Sequence, residues 1–165
     1  MARTDDNMTE IARLSDRETM ISRRVAAPAR IVWEAWVRPE FFRQWWVPQS
    51  FGLTLLSCEM DVRVGGTYRL VFAHPMAEEP MAFFGHYLAV EPHSRLVWTN
   101  EEGEEVVETH VTFAETEGTT LVTIRNLYPS KAALDAEIES GATSCMGETL
   151  DQLDRLVADR LNSAE

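Results

Sequence analysis

From Gly52 to Leu127 hydrophobic and polar residues alternate along the chain. Leu56, Cys58, Met60 and Val62 take turns with Ser57, Glu59, Asp61 and Arg63, the period of two that a half-buried strand requires. Tyr68, Leu70 and Phe72 repeat the pattern after the turn signal Gly65-Gly66. His74 to Pro80 is a polar, proline-bearing loop. Further strands are predicted over Met81–Val90, Arg95–Asn100, Val106–Ala114 and Thr119–Leu127, with turns at Glu91–Ser94, around Gly103 and at Glu117-Gly118. Short strands joined by brief turns argue an antiparallel meander, because parallel crossovers need long connections.

The flanks carry a different period. Glu18–Ala26 reads as a first strand, and Pro28 opens a short helix through about Val37 with an apolar stripe at Ile31, Val32, Ala35 and Trp36. A second short helix runs between Pro39 and Pro48, where Phe42, Trp45 and Trp46 fall at i, i+3, i+4 on one face. With Phe41 and Phe51 nearby, this aromatic stretch is either a plug in the core or the rim of a ligand pocket. Neighbours on a helix diverge by about 100°, so Trp45 and Trp46 need not share one fate. Near the C-terminus, Ser130 caps a helix over Lys131–Ser140, which Gly141 interrupts. From Ser144 a cleaner helix places Met146, Leu150, Leu153, Val157 and Leu161 on one narrow stripe, suited to the hollow of a curved sheet. Residues 1–17 have no stable period and are expected to form a flexible tail, leaving 18–162 as a single domain.

Composition narrows the function. The net charge of −12 argues against nucleic acid and against an anionic membrane surface, both of which call for clustered Lys and Arg. No apolar run approaches membrane-spanning length, and the acidic N-terminal stretch lacks the charge and apolar core of a secretory signal, so the expected location is cytoplasmic. Glu101, Glu102, Glu104, Glu105 and Glu108 crowd around Gly103, which reads as a solvated hairpin tip. Cys58 and Cys145 fit no metal or redox spacing, and no pair among His74, His86, His93 and His110 has the spacing of a helical metal site. No cofactor or metal is expected. No nucleophile motif or acid–base pair emerges, and nothing in these residues demands an enzyme.

The ordered set Pro28-Ala29-Arg30-Ile31-Val32-Trp33-Glu34-Ala35-Trp36, Pro39-Glu40 with Trp45-Trp46-Val47-Pro48, Val64-Gly65-Gly66-Thr67-Tyr68, Gly85-His86-Tyr87-Leu88, Arg95-Leu96-Val97-Trp98-Thr99, Gly118-Thr119-Thr120 and Leu150-Asp151-Gln152-Leu153 resembles the homologues of the activator of the heat-shock-chaperone ATPase. These belong to the START-like (SRPBCC) superfamily. The resemblance spans about Glu18 to Leu161. It implies an α+β helix-grip fold: a curved antiparallel sheet of six to seven strands around a long C-terminal helix, with two short helices after the first strand. It also implies a deep cavity, in which superfamily members bind lipids, sterols, polyketides and other hydrophobic molecules. The chain departs from the pattern at Cys145-Met146, where the family usually carries Gly-Trp, and at Asn126, where it often carries His.

Strand parity then supplies a pocket list. Inward positions are expected at Leu70 and Phe72; Phe84, His86, Leu88 and Val90; Leu96, Trp98 and Asn100; Val107, Thr109, Val111 and Phe113; and Val122, Ile124 and Asn126. The expected ligand-binding residues are Trp45, Trp46, Leu70, Phe72, Phe84, His86, Leu88, Trp98, Asn100, Thr109, Val111, Asn126, Met146 and Leu150. The leading reading is a non-catalytic binding protein for a small, largely hydrophobic molecule, with a homodimer left open. The alternative is a cyclase- or hydrolase-like enzyme using His86 with Asn100 or Asn126. A third is a co-chaperone-like interaction module that docks through the acidic hairpin.

Overall fold

The structure, a computed structural model, describes residues 9–47, 49–103, 105–140 and 146–163. Eight antiparallel strands form one curved sheet: β1 (Glu10–Arg13), β2 (Glu18–Val25), β3 (Thr54–Met60), β4 (Thr67–Ala73), β5 (Met81–Glu91), β6 (Arg95–Asn100), β7 (Val107–Thr116) and β8 (Thr119–Leu127). Their order across the sheet is β1-β2-β8-β7-β6-β5-β4-β3, so β3 to β8 form the expected meander and β2 closes back onto β8. The helices are α1 (Ala29–Val37), α2 (Pro39–Trp45), α3 (Lys131–Ser140) and the long α4 (Met146–Ser163). This is an α+β helix-grip fold. Among the described residues no helix is long and apolar enough to cross a membrane.

Local chemistry explains the helix starts. Pro28 precedes α1 but offers no side-chain cap, so the orphan amide of Ala29 donates to Glu115 Oε1 at 2.8 Å from across the sheet. Pro39 occupies the first turn of α2, where its missing N–H costs nothing. The turn before β4 needs glycine. A Cβ on Gly66 would lie 2.0 Å from the Asp61 carbonyl oxygen, and Gly65 has φ +84°.

The concave face carries the core. Ile21 and Val25 of β2, Val111 and Phe113 of β7, and Val122 and Ile124 of β8 pack with α1 and with Leu150, Leu153 and Val157 of α4. Arg23 shares the inward face of β2 and is 7% exposed. It is neutralised by Asp151 at 2.7 Å and by Asp154, so α4 is held to the sheet by charge as well as by apolar contact. Arg160, near the end of α4, pairs with Glu34 of α1 at 2.7 Å and covers the Phe41 ring at 4.2 Å.

Two expectations need correction here. The stretch read as a loose tail contains β1, whose residues Glu10 to Arg13 pair with Ser22 to Thr19. All four of its side chains are exposed, so backbone pairing holds this edge strand without an apolar signature. In β3 a register shift between Leu55 and Ser57 turns Leu56 to solvent and packs Leu55 inward, breaking the simple alternation.

Candidate functional site

The helices do not fill the hollow of the sheet. A cavity of about 460 Å³ remains, lined by residues of β2 to β8, by the stretch from α1 to β3, and by α3 and α4. Its wall is mostly apolar: Ile21, Leu70, Phe72, Phe83, Leu96, Val107 and Ile124 from the strands, Trp36, Phe42, Trp46, Val47, Phe51 and Leu53 from the helical corner, and Met146 from α4. Volume and lining both lie in the range of small-molecule sites.

The helical corner forms one wall and is clamped in place. Trp45 is fully buried and donates its indole N–H to the Ala35 carbonyl at 2.9 Å. Trp46, one residue on, stacks on Phe42 with centroids 4.9 Å apart and lines the cavity. Gln152 of α4, 4% exposed, makes three bonds to the segment that follows: its Nε2 donates to Trp45 O (2.9 Å) and Val47 O (2.8 Å), and its Oε1 accepts from Gln49 N (2.9 Å). These satisfy backbone groups that the end of α2 leaves open. One side chain therefore fixes the rim to the gripped helix.

Pairing across the sheet sorts the floor into rows. Leu96, Val111, Ile124 and Ile21 sit opposite one another and give an apolar row. The next row is Trp98, Thr109, Asn126 and Thr19, more polar throughout. Trp98 Nε1 donates to Asn100 Oδ1 (3.2 Å), which also receives the Tyr68 hydroxyl (3.2 Å). Asn100 Nδ2 donates to Val107 O (3.1 Å) and to Thr109 Oγ1 (2.9 Å), and Thr109 donates to Asn126 Oδ1 at 2.7 Å. Glu102 and Glu137 also line the cavity, and no Lys, Arg or His is among its described lining residues. Burial, with Glu102 adding to it, raises the Glu137 carboxyl above its ordinary pKa. Burial likewise raises the phenols of Tyr68 and Tyr87, and that of Tyr128 to about 12, keeping all three protonated as donors.

Of the residues expected to contact a ligand, the structure brings Trp46, Leu70, Phe72, Trp98, Asn100, Thr109, Asn126 and Met146 together around the cavity. Trp45, Val111 and Leu150 point inward but are sealed in the packed core, at 0% exposure. Phe84, His86 and Leu88 are corrected outright: all three are exposed on the convex side, and their neighbours Phe83 and Tyr87 line the cavity instead. Val90 nonetheless packs inward, because a register shift between Tyr87 and Ala89 restores the expected parity beyond it. The signal for the true parity is Gly85. A Cβ there would lie 1.9 Å from Thr99 O, so a side chain is forbidden at this position, and the Tyr68 hydroxyl bonds that same carbonyl at 2.8 Å.

His86 therefore cannot serve a reaction inside the cavity. Its Nδ1 is 2.7 Å from Glu101 Oε2 on the outer face, and Thr99 also bonds that carboxylate. These hydrogen bonds, first from Thr99 and then from His86, lower the Glu101 pKa. The acidic hairpin is thus more than a solvated tip: Glu101 is engaged outside and Glu102 reaches the cavity, while Glu104 lies outside the described residues. Cys58, whose thiol is pushed up by burial, is half-buried, and Cys145 lies outside the described residues. Among the described residues no group of three or more His, Cys, Asp or Glu is placed to hold a metal ion. Tyr87, Phe83, Glu102 and Glu137 are lining residues that strand and helix patterns did not single out.

Comparison with known proteins agrees with this architecture. A protein of Rhodobacter sphaeroides of known structure superposes with a TM-score of 0.83 at 22% identity, covering 92% of this chain and 98% of that one. One from Nitrosomonas europaea gives 0.81 at 23% identity, covering 90% and 98%. The AHSA1-like protein of Aeromonas hydrophila gives 0.63 at 23%, covering 86% and 93%. At these identities the likeness shows the fold alone. No curated protein matches the chain. The family model described as activator of Hsp90 ATPase homolog 1-like protein matches residues 26–158, which span α1 through most of α4, and the chain belongs to that family.

Proposed function

We propose that this protein binds a small, largely hydrophobic molecule between the sheet and α4, without transforming it. The observation that carries the reading is the cavity of about 460 Å³, walled by aromatic and aliphatic side chains and bearing a few polar groups along one row. The family's START-like fold, in which hydrophobic ligands are commonly held at this place, supports it. The outward placement of His86 removes the base that the cyclase- or hydrolase-like alternative relied on.

Thermal-shift and native mass spectrometric screening against lipids and aromatic metabolites tests the proposal. A ligand that binds only the folded state raises the melting temperature with concentration, by about 2.7 kcal/mol of added stability at one hundred times Kd. The effect should vanish in Leu70→Trp, which puts a large ring into the cavity. Failure of every compound to stabilise the wild-type protein would contradict the proposal.

A further inference from the structure

The hydrogen-bond chain at the polar row has a direction. The Trp98 indole can only donate and the Val107 carbonyl can only accept. Both bond the Asn100 amide, at 3.2 and 3.1 Å, so its oxygen faces the tryptophan and its nitrogen faces Val107 and Thr109. Thr109, 5% exposed, then accepts from Asn100 and must place its own proton on an acceptor. The Asn126 side-chain oxygen, 2.7 Å away, takes it. Asn126 is left presenting Nδ2, with two N–H donors and no partner among the described residues, and it lines the cavity.

We infer that the bound molecule carries an uncharged carbonyl-type acceptor, as in a ketone, ester or amide, seated on Asn126 Nδ2. The inference rests on the binding reading above and gives it a chemical class. A hydrocarbon would leave the amide unpaired in an apolar chamber, a costly arrangement. A carboxylate would satisfy the amide but meet Glu102 and Glu137, with no Lys, Arg or His among the described lining residues to offset them. The raised pKa of Glu137 points the same way, since the cavity already disfavours one negative charge.

Isothermal titration calorimetry with three probes sharing one aromatic body tests this: acetylnaphthalene, ethylnaphthalene and naphthoate. The wild-type protein should bind the acetyl compound about tenfold or more tighter than either of the others. Asn126→Asp keeps an acceptor for Thr109 but replaces the donor with a carboxylate oxygen. It should abolish the preference for acetyl over ethyl at a pH where the new carboxyl is ionised. Equal wild-type affinity for the acetyl and ethyl compounds overturns the inference and leaves hydrophobic binding standing. Tight naphthoate binding overturns the exclusion of anions. If no probe binds at all, the binding reading falls and this one with it. The wild-type comparison needs no variant to fold.

Discussion

Trp45 and Trp46 are neighbours in the chain yet belong to different halves of the molecule. Trp45 faces the half where α1 and α4 press onto β2, β7 and β8, and where Val25, Val111, Val122, Leu150, Leu153 and Val157 are at most 2% exposed. Trp46 faces the half where β4, β5 and β6 curve away and the cavity remains. The same sheet supplies both floors. What differs is the row of inward residues: Phe113, Val122 and Arg23 lie opposite one another in the packed half, Leu96, Ile124 and Ile21 already border the cavity, and Trp98, Thr109 and Asn126 line it in the next row. A polar row needs partners that an apolar stripe cannot supply. The packed half accordingly holds the fold, and the hollow half is left for a ligand.

The largest test of that division is a pair of truncations. Trp45→Ala should destabilise the protein by about 3–5 kcal/mol in urea unfolding, the usual cost of deleting a sealed aromatic ring. Trp46→Ala should cost about 1–2 kcal/mol, since its ring meets a cavity on one side. Equal losses would erase the distinction. Insertions sharpen it next. Val111→Phe overpacks the sealed half and should cost about 3 kcal/mol, while Leu70→Phe expands into the hollow and should cost less than about 1 kcal/mol. Removing Arg23 as Arg23→Met strands Asp154 of α4 against the sheet and should cost about 2 kcal/mol, less than a fully buried pair because Asp154 is 28% exposed.

The smallest effect concerns pH and two acids near the same hairpin. Glu137 has a raised pKa, from burial first and Glu102 second. The folded state therefore holds its proton more tightly than the unfolded chain does. Its contribution is fully present below the ordinary carboxylate pKa of 4.5 and is lost as pH rises through the raised value. Glu137→Gln should flatten that part of the stability profile and raise stability at neutral pH. Glu101 has the opposite sign. Its lowered pKa, from the Thr99 and His86 hydrogen bonds, gives stability above the ordinary value that is lost as pH falls through the lowered one. Glu101→Gln should remove the acid-side decline alone. Urea melts across the pH range distinguish the two.

The sheet meander, both short helices and the gripped helix were legible because each rests on a repeated period with clear turn signals between. The inward faces of β6, β7 and β8 were legible for the same reason, and Asn100, Thr109 and Asn126 stand out as polar residues at apolar positions. β5 was not, because Ala82, Phe83 and Phe84 are consecutive apolar residues and either phase fits them. Gly85 and the shift after Tyr87 decide the phase through close approach of backbone, which no hydropathy pattern records. β1 was invisible because its side chains bury nothing. The choice between Trp45 and Trp46 depends on one distant acceptor, the Ala35 carbonyl, and on the Gln152 clamp.

The most direct test of the division is to follow the indole N–H resonances of assigned tryptophans by NMR while titrating acetylnaphthalene. The signals of Trp46 and Trp98, which line the cavity, should move saturably, and that of Trp45, bonded to Ala35 in the sealed half, should stay in place. Equal movement of all three signals, or none in Trp46 and Trp98, would contradict a ligand-binding hollow beside a closed core.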